Sequence, residues 1–252
     1  RDYVSPEYTH DFTITNTTPS LAQTTNQGGE ITPFLEFVEN YQTLDGKIEK
    51  LKDKNPDGSP VYYESMANIF ANRDKRLAAT VLYSGSEFKG KVTSIQAGQK
   101  VWNQQTGSYD YITGMSLGDK DENELLIRGF DGPSEDKNIT NTGFYLKKFV
   151  STSSDAGLSA VKASNYWPIF RYAEILLNTA EAGFELGKPQ AIDYINAIRE
   201  DAGFGPNSLV SLTFEDIIQE RKVELAFEDH RYNDLKRWRI ADEVWDNDPD
   251  SP

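Results

Sequence analysis

The stretch from Asn165 to Arg239 constrains this chain most, because its apolar residues recur at helical spacing between strong stop and start signals. Trp167, Phe170, Ala173, Leu177, Ala180 and Phe184 step by three and four, which predicts one side of a helix beginning after Asn165. Pro168 suits its first turn, where a missing amide donor costs nothing. Gly187 supplies the left-handed residue that closes a helix, and Pro189 fits the opening turn of the next. That second helix turns Ala191, Ile192, Ile195 and Ile198 inward and stops near Gly203. Thr213, three residues before Asp216, announces a third, through a capping box with a shorter acid than usual. The third helix runs through Ile217, Ile218, Leu225 and Phe227. Glu220, Glu224 and Glu228 lie one turn apart along it, and Arg221, Arg231, Lys236, Arg237 and Arg239 crowd around its end, the charge order a helix dipole favours. Trp167, Trp238 and Trp245 belong with this scaffold.

Upstream the signals are weaker. Residues 1 to 30, rich in Thr, Asn, Gln and Ser, read as irregular rather than packed. A short helix is expected between Pro33 and Tyr41, with Phe34, Phe37, Val38 and Tyr41 on one side and Asp45-Gly46 after it. Asn55-Pro56-Asp57-Gly58 makes Lys52 to Pro60 an exposed loop. Tyr62 to Arg73 reads as a short helix and Leu77 to Tyr83 as a strand. From Lys91 to Gly132 the chain is polar and punctuated by glycine and aromatic residues, the pattern of a long loop or small sheet hung on a scaffold.

A length of 252 residues suffices for a sizeable core, and a single domain over 1–252 is the expected arrangement. A net charge of -14 opposes nucleic-acid binding, since phosphate recognition needs clustered cations. No run reaches the roughly 20 apolar residues of a membrane-spanning helix. The absence of cysteine removes disulfides, thiolate chemistry and cysteine-ligated zinc. His10 and His230 are too few and too far apart in sequence to suggest a metal or triad site. Asp119 to Glu124 begins like a calcium loop but lacks the glycine at its sixth position and the glutamate at its twelfth. No cofactor, metal or catalytic residue is assigned.

Two constellations invite a functional reading. Sugar rings stack on flat aromatic faces while amides at the rim meet their hydroxyls. Trp102 has that setting, with Asn103, Gln104 and Gln105 beside it and Tyr109 and Tyr111 alternating onto one face of an extended segment. The candidate ligand-binding residues are therefore Trp102, Asn103, Gln105, Tyr109 and Tyr111. Tyr62 and Tyr63 read as packing residues. Glu220, Glu224, Glu228, Arg231, Asp234 and Arg237 suggest the paired carboxylates of a glycosidase. Arginines at such spacing hold carboxylates ionised, however, which favours a structural network over a proton donor.

The run Arg171-Tyr172-Ala173-Glu174-Ile175-Leu176-Leu177-Asn178, with Ala180-Glu181-Ala182 and Ile195-Asn196-Ala197-Ile198-Arg199, resembles the tetratricopeptide-like helix pair of the SusD/RagB family. Glu220-Arg221-Lys222-Val223-Glu224-Leu225-Ala226-Phe227-Glu228 and His230-Arg231-Tyr232-Asn233-Asp234-Leu235-Lys236-Arg237-Trp238 carry the same resemblance. Weaker echoes fall in family order at Thr32-Pro33 through Asp45-Gly46, Arg73 to Thr80 and Thr142 to Lys148.

The resemblance implies a mainly α fold, a tetratricopeptide-like helical scaffold with loop-rich and small β insertions. It also implies non-catalytic capture of oligosaccharide, or sometimes peptide, on the outer face of the outer membrane. Its partner would be a SusC-like TonB-dependent transporter, and membrane association would come through a lipid anchor outside this chain. Family members are about twice as long, so the chain is expected to be a carboxy-terminal portion. The competing expectation is a tetratricopeptide-type adaptor that binds peptide or protein along an exposed apolar groove on the Asn165 to Gly203 pair. That reading requires Phe170, Leu177 and Ile195 to face solvent.

Overall fold

A computed structural model describes residues 8–22, 28–114, 116–133, 139–158 and 161–245. The helices are α1 (Phe12–Asn16), α2 (Pro19–Ala22), α3 (Leu35–Glu39), α4 (Arg76–Thr80), α5 (Tyr172–Glu185), α6 (Ala191–Asp201), α7 (Phe214–Glu224), α8 (His230–Trp238) and α9 (Ala241–Val244), with a 3-10 turn at Met66–Phe70. The strands are β1 (Val81–Leu82), β2 (Glu87–Phe88), β3 (Lys91–Val92), β4 (Gly98–Asn103), β5 (Ser108–Thr113) and β6 (Tyr145–Leu146). They pair antiparallel as β1 with β6, β2 with β3 and β4 with β5. The fold is mainly helical with small sheets. The chain divides into two compact units, one from Arg1–Glu39, Glu49–Arg73 and Leu77–Trp167, the other from Asn40–Ile48, Asp74–Arg76 and Pro168–Pro252.

The first unit is built around Leu21, Leu82, Phe88, Ile95, Tyr145 and Val150, with Phe12 packed against them. Buried Asp131 holds its segments together by accepting from Ser20 N and Oγ, each at 2.9 Å, and from Ser94 N at 3.3 Å. The irregular reading of the amino-terminal residues is corrected here. Among those described, α1 and α2 form and bury Thr13, Ile14, Asn16, Thr17, Thr18 and Leu21. Polar residues occupy that interior because each finds a partner: Thr13 Oγ1 accepts from Ser151 N at 2.9 Å and Asn16 Oδ1 from Ile31 N at 2.9 Å. Residues 1–7 and 23–27 lie outside the described residues.

Two further expectations shift. The predicted strand from Leu77 begins as α4 and becomes strand only at Val81, consistent with the helix propensity of its alanines. The predicted Tyr62 helix shrinks to the 3-10 turn, since Ser65 and Ala71 on either side are extended. The Lys52–Pro60 loop forms as expected: a bridge joins Lys54 to Pro60, Gly58 sits at φ 82°, and Asp57 Oδ1 accepts from Ser59 N at 2.9 Å.

The second unit packs α5 against α6 and α7 through Leu177, Ala180, Ile195, Ile198, Ile217 and Leu225. The Gly187 stop is realised as a double hydrogen bond, Lys188 N to Gly183 O at 2.8 Å and Gly187 N to Phe184 O at 2.9 Å, with Gly187 at φ 62°. Gly203 repeats the device at the end of α6, with Phe204 N reaching Arg199 O at 3.0 Å. The Thr213 capping box is present in both directions.

Helix α5 starts at Tyr172 rather than after Asn165, because Arg171 is extended (φ -146°, ψ 161°). In that conformation its guanidinium reaches Glu224 and Glu228 at 2.5 and 2.8 Å. Trp167 and Phe170 thus precede the helix, and Trp167 packs in the first unit against Phe12 and Phe149. The predicted third helix also breaks. It ends at Glu224, Phe227 and Asp229 adopt left-handed backbone at φ 62° and 60°, and the basic run belongs to α8.

Candidate functional site

Strands β4 and β5 form a ribbon whose residues are mostly exposed on both faces. Their register sets Trp102 opposite Tyr109 and Lys100 opposite Tyr111, so alternation gathers these four side chains on one face. Trp102 and Tyr109 meet edge to face with ring centres 5.0 Å apart. Tyr62 extends the row, its ring 5.8 Å from that of Tyr109. A hydrogen bond to Tyr109 pushes the Tyr62 phenol up to about 12. Tyr111 lies across Gly98: a Cβ there would sit 3.0 Å from the Tyr111 ring and 2.4 Å from Ile112 O, so only glycine fits. Tyr62, Trp102 and Tyr111 remain 64, 51 and 59 % exposed, a contiguous aromatic surface in water.

The predicted rim residues divide. Asn103 and Asp110 fall on the opposite face, and the Asn103 side chain is spent on the hairpin turn. Its Oδ1 accepts from Gln105 N at 2.8 Å and Thr106 N at 3.3 Å, and its Nδ2 donates to Asp110 Oδ2 at 2.7 Å. The Asn103 amide, expected at the rim of a sugar site, thus forms an Asx turn. Gln105 is exposed in the turn itself. Tyr62, read from sequence as a packing residue, joins the aromatic face instead. Its neighbour Tyr63 donates its hydroxyl to Lys52 O at 2.6 Å.

A cleft of about 420 Å³ in the same unit is lined chiefly by Tyr63, Met66, Ile69, Phe70, Ile95 and Phe144. Its polar groups are committed elsewhere, Gln96 Nε2 to Leu126 O at 2.6 Å and Ser65 Oγ to Asn68 Oδ1 at 2.9 Å, so it offers little to a hydroxylated ligand. The Asp119–Glu124 segment is closed by local bonds: Asp121 Oδ1 accepts from Asn123 N and Leu125 N, each at 2.9 Å. No group of three or more metal-binding side chains occurs among the described residues. No helix among them is long and apolar enough to cross a membrane.

The carboxylates of the second unit form a buried ion network. Arg76 Nη1 bridges Glu220 at 2.6 Å and Glu224 at 2.7 Å, while its Nη2 meets Asp74 at 2.6 Å. Arg199 faces the other oxygen of Glu220 at 3.3 Å. Burial opposes the Arg76 cation, but the surrounding carboxylates outweigh it and hold the cation firmly. For Glu224, burial raises the carboxyl, yet Arg76 and Arg171 overcome this and keep it below its ordinary value. Burial likewise pushes Glu220 up, against two guanidinium groups. A second knot ties Arg221 to Asp234 through two bonds of 3.0 and 3.1 Å, and Arg237 to Glu181. The charges named here are matched at close range, with Arg199, Glu220, Arg221 and Asp234 buried and Arg171 and Arg237 at the partly exposed edge, which is how a network fixes helices together.

The chain matches the profile of the SusD family over residues 3–251. A SusD-like protein of Formosa agariphila is 39 % identical over 224 residues, covering 84 % of this chain and 36 % of the relative. A second from the same organism is 38 % identical over 114 residues, 40 % of this chain and 22 % of the relative. The chain thus spans little more than a third of the length of these relatives, or less. Two crystal structures from Bacteroides fragilis share the fold at 24 % identity. One is a SusD-like protein (TM-score 0.60, 94 % of this chain and 42 % of that one), the other a SusD-like carbohydrate-binding protein (TM-score 0.58, 93 % and 40 %).

Proposed function

This chain belongs to the SusD family, and from that premise we propose that it binds oligosaccharide without transforming it. The observation that carries the reading is the exposed row of Tyr62, Tyr109, Trp102 and Tyr111 on the hairpin. Aromatic faces of this kind stack against the C–H faces of sugar rings. Lys100 and Gln105 stand at the margin to meet hydroxyls or charged substituents. Arg76 and Arg171 hold Glu224 ionised, and Glu220, 1 % exposed between two guanidinium groups, is not open to a ligand, which supports binding rather than hydrolysis. The carbohydrate-binding name of one fold neighbour agrees with this assignment.

The family resemblance extends the proposal to the cell surface. Captured glycan would pass to a SusC-like TonB-dependent transporter, with the protein held at the outer membrane by a lipid anchor. The two compact units would act together as one carboxy-terminal domain of such a protein. The adaptor alternative finds less support, since Leu177 and Ile195 are completely buried although Phe170 is exposed.

Calorimetry with a panel of oligosaccharides, on the chain and on Trp102→Ala, tests the proposal. Loss of one stacking ring is expected to weaken binding by about 1 kcal/mol or more. Binding unaffected by Trp102→Ala would move the site off the hairpin. Glycan turnover abolished by Glu224→Gln would overturn the non-catalytic reading.

A further inference from the structure

A second pocket lies in the first unit, lined by none of the hairpin residues. It has a volume of about 210 Å³ and is lined by His10, Phe12, Phe149, Asn165, Tyr166 and Trp167. Backbone pairing of His10 with Ala163, at 2.9 and 3.1 Å, brings together segments distant in sequence. Phe149 and Trp167 have ring centres 3.9 Å apart with their planes tilted by 34°, and Phe12 meets Trp167 edge-on at 5.4 Å. Phe149 adopts left-handed backbone at φ 67°, a strained state for an aromatic residue, and its carbonyl accepts from Asn165 Nδ2 at 2.9 Å.

The hydrogen bonds around the pocket leave two buried acceptors open. His10 Nε2 lies 2.7 Å from Asn165 O, and a carbonyl can only accept, so Nε2 carries the proton. In the neutral ring Nδ1 is then an acceptor. Asn165 gives its amide nitrogen to Phe149, which leaves Oδ1 as a second acceptor. Both atoms, His10 Nδ1 and Asn165 Oδ1, are buried and have no partner. Two unsatisfied acceptors beside aromatic walls call for a group that brings two donors and an apolar face.

We infer that this pocket is a second ligand site, one that takes a single neutral polyol ring, such as a pyranose, through an adjacent pair of hydroxyls. An anion brings acceptors rather than donors and would leave both atoms unpaired. A cation would be opposed by the like charge of Lys148, whose ammonium stands 5.5 Å from the ring centre of the lining residue Phe149. The volume accommodates one ring, so the site would hold one sugar residue, independently of the chain-length contacts made on the hairpin.

NMR of the imidazole protons tests the inference on the whole chain, because the sequence holds only two histidines and His230 serves as the internal control. The probes are trans-1,2-cyclohexanediol and cyclohexanol, which share a ring and differ by one donor. The diol is expected to move the His10 signals saturably, leave those of His230 in place, and bind about tenfold tighter than cyclohexanol. The response should persist in Trp102→Ala, which separates this site from the hairpin, and vanish in Asn165→Leu. Equal responses to both probes would reduce the pocket to an apolar hole and overturn the inference. No response of His10 to either would show that it holds water only.

Discussion

Replacing Arg76 with methionine removes the centre of the ion network while keeping a side chain of similar reach. In the native protein Arg76 contacts Asp74, Glu220 and Glu224, of which Glu220 is 1 % exposed and Asp74 2 %. After the change Glu220 retains only Arg199 at 3.3 Å, and Glu224 retains Arg171. Breaking a buried pair from one side strands a charge and costs about 3–5 kcal/mol. For a chain of this size that corresponds to a fall in melting temperature on the order of 10 °C. Urea and thermal melts of Arg76→Met against wild type measure it. Arg76→Met/Glu220→Gln should recover part of the loss, because no anion is then stranded at that position. The pH dependence has a definite sign. Glu224 is held below its ordinary value, so its contribution is present above the usual carboxylate range and is lost as pH falls through the lowered value. The gap between wild type and Arg76→Met should therefore narrow in acid. A variant within about 0.5 kcal/mol of wild type at neutral pH would refute the network as a determinant of stability.

Gly98→Ala should distort the hairpin, since its Cβ would meet Ile112 O at 2.4 Å; glycan affinity should fall with little change in the global melt, and unchanged affinity would contradict the site. Thr213→Ala should cost about 1 kcal/mol through loss of the capping box, read by chemical denaturation. Burial, aided by the neighbouring Arg231 cation, pushes the Lys222 amine down to about 8 from 10.5. Between those pH values the unfolded chain binds more protons, so stability should rise with pH in that window, and Lys222→Met should flatten the rise.

Helical spacing and end signals were legible in the sequence because they are local. Gly187, Gly203 and the Thr213–Asp216 pair act within a few residues of themselves, and each does in the structure what its position predicts. The break after Glu224 was not legible, because left-handed backbone at Phe227 and Asp229 carries no glycine or asparagine to announce it. The start of α5 is hidden from the sequence for a related reason. Arg171 leaves the helical conformation where its guanidinium spans Glu224 and Glu228, more than fifty residues away. Within the hairpin, alternation placed Tyr109 and Tyr111 on one face, but the cross-strand register was needed to bring in Trp102 and Lys100. Asn103 shows the opposite outcome, an amide that looked like a rim contact and serves the turn.

By itself the sequence determined the helical class, the stops at Gly187 and Gly203, the capped start at Thr213, the family and the acidic, cysteine-free character that excludes whole kinds of chemistry. These follow from periodicity, capping chemistry and charge, all readable over a few residues. Only the tertiary structure decided that Tyr62 stands beside Tyr109, that Arg76 joins Glu220 and Glu224 across more than 140 residues, and that His10 and Asn165 share one pocket. Such pairings are set by which distant segments pack together, and packing depends on the shapes and hydrogen-bonding needs of many residues at once rather than on any local pattern.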